Sequence, residues 1–92
     1  MTNTPADITG SPVRVEVHLF AGVAAALGTE RLDLEAADVA GALGQLRDLA
    51  GGDGDRIVRA CSVLVNSVVC RDEGRALATG DRIDVLPPFA GG

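Results

Sequence analysis

The chain is poor in the residue types that carry most protein chemistry. Its 92 residues include no lysine, tryptophan or tyrosine, one histidine, His18, and two cysteines, Cys61 and Cys70. Without lysine, the chain cannot receive an isopeptide link except at its N-terminus, which excludes polymers built by self-attachment through lysine side chains. One histidine and two cysteines are too few for a Cys/His zinc site, and we expect both cysteines to be buried, inert thiols.

Membrane, export and nucleic-acid functions also lack their sequence signals. No apolar run approaches the length of a membrane span, and the N-terminus lacks the charged start and apolar stretch of a signal peptide, so we expect a cytoplasmic protein. The net charge of −5 argues against binding to a phosphate backbone, which requires a basic face. No glycine-rich loop followed by lysine is present, so we do not expect the chain to bind ATP itself.

Polarity divides the chain into a leader, a folded domain and a tail. Residues 1–12 are polar, contain two prolines and show no periodicity, which predicts a disordered leader. Residues 13–86 hold the regular apolar patterns and predict one small domain. Residues 87–92 read Pro-Pro-Phe-Ala-Gly-Gly. The two prolines cannot continue a helix or donate to a sheet, so this segment predicts an extended tail.

The periodicity of the domain predicts a mixture of strands and helices. Alternation of apolar and polar residues predicts strands over residues 13–20, 30–35 and 82–86. Helical spacing and capping residues predict a short helix over residues 21–27 that ends at Gly28, and a main helix over residues 39–50 with Asp38 as its N-cap.

Residues 51–54 are expected to form a loop, and residues 61–65 and 68–70 a hairpin around Asn66-Ser67. This order predicts an α+β fold, in which a mixed sheet of about five strands packs against one main helix on one face. In this hairpin Cys61 and Cys70 lie on the face that points to the core.

Strand parity places four apolar residues on the opposite face of the sheet: Phe20, Leu64, Val69 and Leu86. Exposed single hydrophobic residues are common on any protein surface. These four, however, are expected on adjacent strands, and Leu86 borders the tail. A cluster of this kind on a small acidic domain is typical of a surface that binds a partner protein.

The C-terminal sequence resembles that of a known family. Residues 80–92 (GDRIDVLPPFAGG) resemble the C-terminus of the ThiS/MoaD sulfur-carrier family, and the Pro-Pro-x-x-Gly-Gly ending is most similar to MoaD, the branch of molybdopterin synthase small subunits. Phe20-Ala21 before a short Ala/Leu helix and Gly28, and the region from Val39 to Leu43, are also similar to that family. The resemblance covers roughly residues 13–92 and implies the ubiquitin-like β-grasp fold.

The resemblance implies that the carboxylate of Gly92, which follows Gly91, is the reacting group. A separate ATP-using activating enzyme would adenylate it, and a sulfur donor would convert it to a thiocarboxylate. The thiocarboxylate would deliver sulfur to a precursor pterin inside the large catalytic subunit of molybdopterin synthase. The chain itself would bind no metal and no cofactor.

Physical chemistry is consistent with this use of the tail. Six extended residues reach up to about 20 Å, which allows the end of the tail to enter a buried site while the domain stays outside. Terminal glycines leave the carbonyl unhindered, and the prolines reduce the entropy lost on threading. The tail residues expected to contact the partner are Pro87, Pro88, Phe89 and Ala90. The alternative for Phe89 is that it only covers the edge of the domain.

Three other functions stay open from the sequence. The first is a sulfur carrier for thiamine thiazole, cysteine or tRNA thiolation, which would use the same ending. The second is a ubiquitin-like modifier, whose activated carboxylate meets an amine instead of sulfide. The third is a plain interaction domain, for which the Gly-Gly ending would be dispensable.

Overall fold

The regular patterns of the sequence form a five-stranded mixed sheet and three helices in the computed structural model, which describes residues 11–87. The elements in chain order are β1 (Val13–Leu19), α1 (Ala21–Leu27), β2 (Arg31–Ala36), α2 (Val39–Ala50), α3 (Gly52–Arg59), β3 (Ser62–Val65), β4 (Val68–Val69) and β5 (Arg82–Leu86). The leader prediction for residues 1–10 and the tail prediction for residues 88–92 lie outside the described residues. Within the part that is described, no helix is long and apolar enough to cross a membrane.

The sheet order is β2-β1-β5-β3-β4, so the last strand of the chain lies at the centre. β5 runs parallel to β1 and antiparallel to β3. The pairs β1–β2 and β3–β4 are antiparallel. β2 is an edge strand, as its charged, short sequence predicts. The predicted mixed sheet of about five strands is therefore confirmed.

The core lies between the inner face of the sheet and the helices. In β1 the buried positions alternate with polar ones, and in β5 both Ile83 and Val85 are fully buried. α2 is the longest helix and buries Val39, Leu43 and Leu46 against this face. Leu77, the one large aliphatic residue of the long connection before β5, is also buried. These inward positions are those that the period-two and helical patterns predict.

The predicted helix caps and hairpin turn are confirmed. Asp38 precedes α2, and its Oδ1 accepts a hydrogen bond of 2.8 Å from the backbone N–H of Gly41, which satisfies a donor of the first turn. Gly28 follows α1 with a φ of 76°, the left-handed conformation that glycine adopts without steric cost. Asn66 and Ser67 both have positive φ, as a tight β3–β4 turn requires.

The prediction of a loop at residues 51–54 is wrong, because α3 begins at Gly52. Gly51 and Gly52 adopt positive φ values of 60° and 45°, which turn the chain directly from α2 into α3. Asp53 and Asp55 then lie in the first turn of α3, where carboxylates complement the helix dipole. Packing against α1 and α2 stabilises a helix that its glycine-rich sequence disfavours.

The two helices α2 and α3 approach each other closely at Gly54. A Cβ atom at this buried position would lie 2.5 Å from Cβ of Ala50, so α3 would have to move. We expect Gly54→Ala to lower the free energy of unfolding by about 1–3 kcal/mol. Gly44→Ala is the matched control in α2, where the nearest heavy atom is 3.9 Å away, and it should raise stability by about 0.5–1 kcal/mol.

Urea denaturation of the two variants measures this difference. A Gly54→Ala variant as stable as Gly44→Ala would contradict the close approach of the two helices.

Candidate functional site at the end of the central strand

The C-terminal segment follows the central strand of the sheet, β5. β5 has a neighbour on each side, and its last residue, Leu86, pairs with Ser62 of β3. On the other side, the backbone N–H of Phe20 donates a hydrogen bond of 3.3 Å to the carbonyl of Val85. Pro87, the last residue that the structure describes, is half-buried. The point at which the tail begins is therefore fixed by both neighbouring strands.

The other end of β5 is fixed by a carboxylate. Asp81 Oδ2 accepts a hydrogen bond of 2.9 Å from the N–H of Ala78, and Oδ1 accepts one of 2.9 Å from the side-chain amide of Asn66. Asn66 Oδ1 in turn accepts a hydrogen bond of 2.9 Å from the N–H of Arg82, the first residue of β5. The hydrogen bond from the Ala78 N–H lowers the pKa of the Asp81 carboxyl, and the hydrogen bond from Asn66 lowers it further by a smaller amount. This network ties the β3–β4 turn to the turn that starts β5.

The four predicted surface residues lie at or beside one end of the outer face. Leu64 pairs with Val69 across β3 and β4, and Leu86 lies diagonal to Leu64 across β3 and β5. Phe20 follows β1 at the same end of the sheet as Leu86. Phe20 is 39% and Val69 55% exposed, whereas Leu64 and Leu86 are half-buried. We call these four residues the apolar patch.

A carboxylate lies in the middle of the apolar patch. Asp84 is the direct partner of Leu64 and is only 7% exposed. Its Oδ1 accepts a hydrogen bond of 2.7 Å from Nε of Arg82, which supplies the charge partner that a buried carboxylate needs. Strand parity places Asp84 on the outer face, but no sequence signal predicts its burial, which depends on the side chains of neighbouring strands.

The rest of the outer face is polar and ion-paired. On β1 and β2, Arg14 lies 3.7 Å from Asp33 and 3.8 Å from Glu35. Glu16 contacts Arg31, and its Oε1 lies 3.1 Å from Nε2 of His18.

The close approach of His18, together with the charge of Arg31, lowers the pKa of Glu16. The outer face is thus divided between a charged half on β1 and β2 and the apolar patch, most of which lies on β3, β4 and β5.

The cysteines lie on the helix side of β3 and β4, as predicted, and both are half-buried free thiols. Cys61 Sγ donates to the carbonyl of Ile57 at 3.0 Å, and Cys70 Sγ donates to the carbonyl of Asp72 at 3.3 Å. Burial raises the pKa of Cys61. A thiol with a raised pKa is a poor nucleophile, so the surroundings of Cys61 do not activate it.

A cavity of about 450 Å³ opens between α2, α3 and the β3–β4 hairpin, on the face of the sheet opposite to most of the apolar patch. It is lined by both cysteines and by three arginines, Arg47, Arg59 and Arg71. The sequence did not predict this cavity, because it depends on α3 and on residues that are distant in the chain.

Comparison with solved structures finds similar small proteins. Small archaeal modifier protein 1 from Methanosarcina acetivorans is 27% identical, with a TM-score of 0.79, and the match covers 90% of this chain and 100% of that chain. Small archaeal modifier protein 1 from Haloferax volcanii is 29% identical, with a TM-score of 0.67 and coverage of 86% and 99%. A search of curated proteins finds no match.

A third similar structure is a complex of subunits 1 and 2 of the molybdopterin-converting factor from Helicobacter pylori. Its matching chain is 25% identical, with a TM-score of 0.67, and the match covers 87% of this chain and 100% of that chain. Together with the sheet order, these likenesses confirm the predicted ubiquitin-like β-grasp fold. The ThiS family model matches residues 17–92, from β1 to the final glycine. Because this match covers most of the chain and includes the Gly-Gly ending, the protein belongs to the ThiS family.

Proposed function

We propose that this protein is a sulfur carrier of molybdenum cofactor biosynthesis. In this proposal the carboxylate of Gly92 is converted to a thiocarboxylate and gives its sulfur to a precursor pterin within molybdopterin synthase. The observation that carries the proposal is the match of the ThiS family model up to Gly92. The Pro-Pro-Phe-Ala-Gly-Gly ending favours the molybdopterin branch over the other branches of the family.

The chemistry requires the tail to visit two proteins. A carboxylate is a poor acylating group, so its oxygen first attacks the α-phosphorus of ATP on an activating enzyme, which releases pyrophosphate. Hydrosulfide supplied by the sulfur donor then attacks the carbonyl carbon and AMP leaves, which produces the thiocarboxylate. ATP is held by the activating enzyme and not by this chain.

The described residues support this role by holding the base of the tail. Ile83 and Val85 anchor β5 in the core, and Leu86 is paired on the neighbouring strand. A rigid base limits the directions in which six further residues can extend, which lowers the entropy lost when they enter a partner. The tail residues Pro87, Pro88, Phe89 and Ala90 would line the channel, and Gly91 and Gly92 would reach the reacting groups.

The apolar patch is the surface that we assign to the partner. It lies beside the base of the tail, so a protein that covers Leu64 and Leu86 also receives residues 87–92. The similar structure from Helicobacter pylori is a complex of two subunits of the molybdopterin-converting factor. This likeness supports the large catalytic subunit of molybdopterin synthase as one partner of this chain, and the activating enzyme is the other.

A second candidate function is protein modification. Two of the similar structures are small archaeal modifier proteins, at 27% and 29% identity. A modifier would use the same adenylated Gly92, but an amine of a target protein would attack the carbonyl instead of a sulfur nucleophile. The absence of lysine prevents this chain from being its own side-chain target under either function.

Intact-mass analysis of the protein purified from its own cell tests the proposal. A sulfur carrier should show a fraction of molecules in which one C-terminal oxygen is replaced by sulfur, together with a co-purifying large subunit of molybdopterin synthase. Amide conjugates to other proteins, without the thiocarboxylate, would favour the modifier. An unmodified C-terminus with neither product would contradict both functions.

We expect the thiols to be dispensable for sulfur transfer. A Cys61→Ala/Cys70→Ala double variant should acquire and transfer sulfur at a rate within about twofold of the native protein, since both thiols bond to backbone carbonyls and burial raises the pKa of Cys61. The measurement is thiocarboxylate formation, followed by mass, with circular dichroism to establish that the variant is folded. Loss of transfer in a folded variant would show that a thiol takes part.

A further inference from the structure

The cavity on the helix side combines an apolar floor with a cationic rim. Its floor consists of four buried aliphatic residues from α2, α3 and β3: Val39, Leu43, Val58 and Val63. Three arginines and one carboxylate, Glu73, complete the charged part of the lining. On a chain with a net charge of −5, this local excess of positive charge favours an anionic occupant.

Two of the three arginines contact one carboxylate that lies outside the cavity lining. Oδ2 of Asp55 accepts a hydrogen bond of 2.9 Å from Nε of Arg59, and Oδ1 lies 3.6 Å from Nε of Arg47. Asp55 is not part of the cavity lining. Because a guanidinium group has five donors, both side chains keep further N–H groups for an anion in the cavity.

The third arginine has no counter-charge of its own. Arg71 is exposed at the rim of the cavity and makes no ion pair within residues 11–87. Arginine binds a carboxylate through two parallel hydrogen bonds, and such pairs are stronger than neutral hydrogen bonds. Arg71 and Arg59 therefore form a suitable pair of donors for a carboxylate that enters over the apolar floor.

The base of the tail lies next to this cavity. Ser62 lines the cavity, and Ser62 is also the residue that pairs with Leu86, the last residue of β5. Paired strands are about 4.8 Å apart. Six residues follow Leu86 in the sequence, and an extended segment of that length spans up to about 20 Å. The tail is thus long enough to fold back onto the helix side of its own domain.

We infer that the cavity receives the C-terminal segment of this same chain, with the ring of Phe89 on the apolar floor and the carboxylate of Gly92 on Arg59 and Arg71. The inference rests on the proposed function only in taking Gly92 as a free C-terminal carboxylate. Charge, polarity and reach agree, because the segment carries one aromatic ring and one anion at its end. Tethering gives the segment an effective concentration in the millimolar range, so a weak contact suffices.

This arrangement holds the reactive group away from partners until one competes for it. Three residues of the apolar patch, Phe20, Leu64 and Leu86, do not line the cavity, whereas Val69 does. A partner can therefore bind those three residues before the tail is released. A partner that needs the free tail binds only those molecules in which the tail is undocked. Its apparent affinity is therefore its intrinsic affinity multiplied by the undocked fraction.

Proton NMR of the full-length chain tests the inference directly. The chain has two phenylalanines and no tyrosine or tryptophan, so the ring resonances of Phe89 are easily assigned. We expect nuclear Overhauser contacts between the Phe89 ring and the methyl groups of Val58 and Val63. Arg71→Gln, which breaks no ion pair among the described residues, should weaken these contacts at least twofold, and Arg59→Gln/Arg71→Gln should abolish them.

Arg56→Gln is the matched control for Arg59→Gln. Arg56 lies on the same helix, is highly exposed and does not line the cavity, so its variant should keep the Phe89 contacts unchanged. Absence of Phe89 contacts to the cavity methyl groups in the native chain would overturn the inference. Contacts that persist undiminished in Arg71→Gln would overturn the role of the arginines. The NMR experiment uses no ATP and no sulfur donor. If it finds no docked tail, the proposed function is still tested separately by the intact mass of the protein.

Discussion

Extension of the chain beyond Gly92 is expected to abolish thiocarboxylate formation while leaving the domain folded. An added residue converts the terminal carboxylate to a peptide carbonyl, which has no anionic oxygen to attack ATP. Deletion of Gly92 should reduce the rate at least about 100-fold, because it withdraws the terminal carbonyl by one residue, roughly 3.4 Å. Misplacement of a reacting group by about 1 Å already costs on the order of 100-fold.

The measurement is thiocarboxylate formation by mass, with the activating enzyme, ATP and a sulfur donor. The same extension placed before Met1 is the control, since it changes the length of the chain but keeps the carboxylate, and it should leave the rate unchanged. The chain extended at its C-terminus and the chain without Gly92 should both keep the native circular dichroism spectrum, because residues 13–86 contain every strand and helix described. Full activity of the chain extended at its C-terminus would contradict the carrier function.

Leu86→Asp is expected to weaken binding to the large subunit at least about tenfold, which corresponds to 1.4 kcal/mol. Leu86 is half-buried at the end of β5, so it contributes to the apolar patch without being part of the core. An aspartate there would have to be desolvated against the partner, beside the buried carboxylate of Asp84. The free energy of unfolding should fall by only about 1 kcal/mol, since Ile83 and Val85 still anchor the strand.

Leu49→Asp is the matched control for this prediction. Leu49 is 62% exposed on α2, on the other side of the sheet, and the substitution introduces the same charge. Titration calorimetry of both variants against the large subunit separates a local effect at the patch from a general effect of charge. Equal affinities for the two variants would remove the apolar patch from the interface.

The strands and their inner faces could be predicted because their signal is local. In β1 and β5, apolar residues recur at every second position, and this spacing determines which side chains share a face whichever strands become neighbours. The same parity placed Leu64, Val69 and Leu86 on the outer face. The caps at Asp38 and Gly28 are equally local, because a cap depends only on the first or last turn of its own helix.

α3 could not be predicted, because its stability comes from contacts made by other parts of the chain. Its sequence, GDGDRIVR, has low helix propensity. Gly54 is buried close to Ala50, and Val58 joins the core between the helices and the sheet. Burial of Val58 in the core offsets the weak helix propensity of the segment.

The sequence alone determined the strands and the two capped helices, since each depends on residues close together in the chain. The tertiary structure decided that the last strand lies at the centre of the sheet, between β1 and β3, because that position results from pairing between distant segments. This pairing places the base of the tail between two surfaces, the apolar patch and the arginine-lined cavity. Contacts between distant segments also bury Asp84 and bring three arginines into one cavity: Arg47, Arg59 and Arg71.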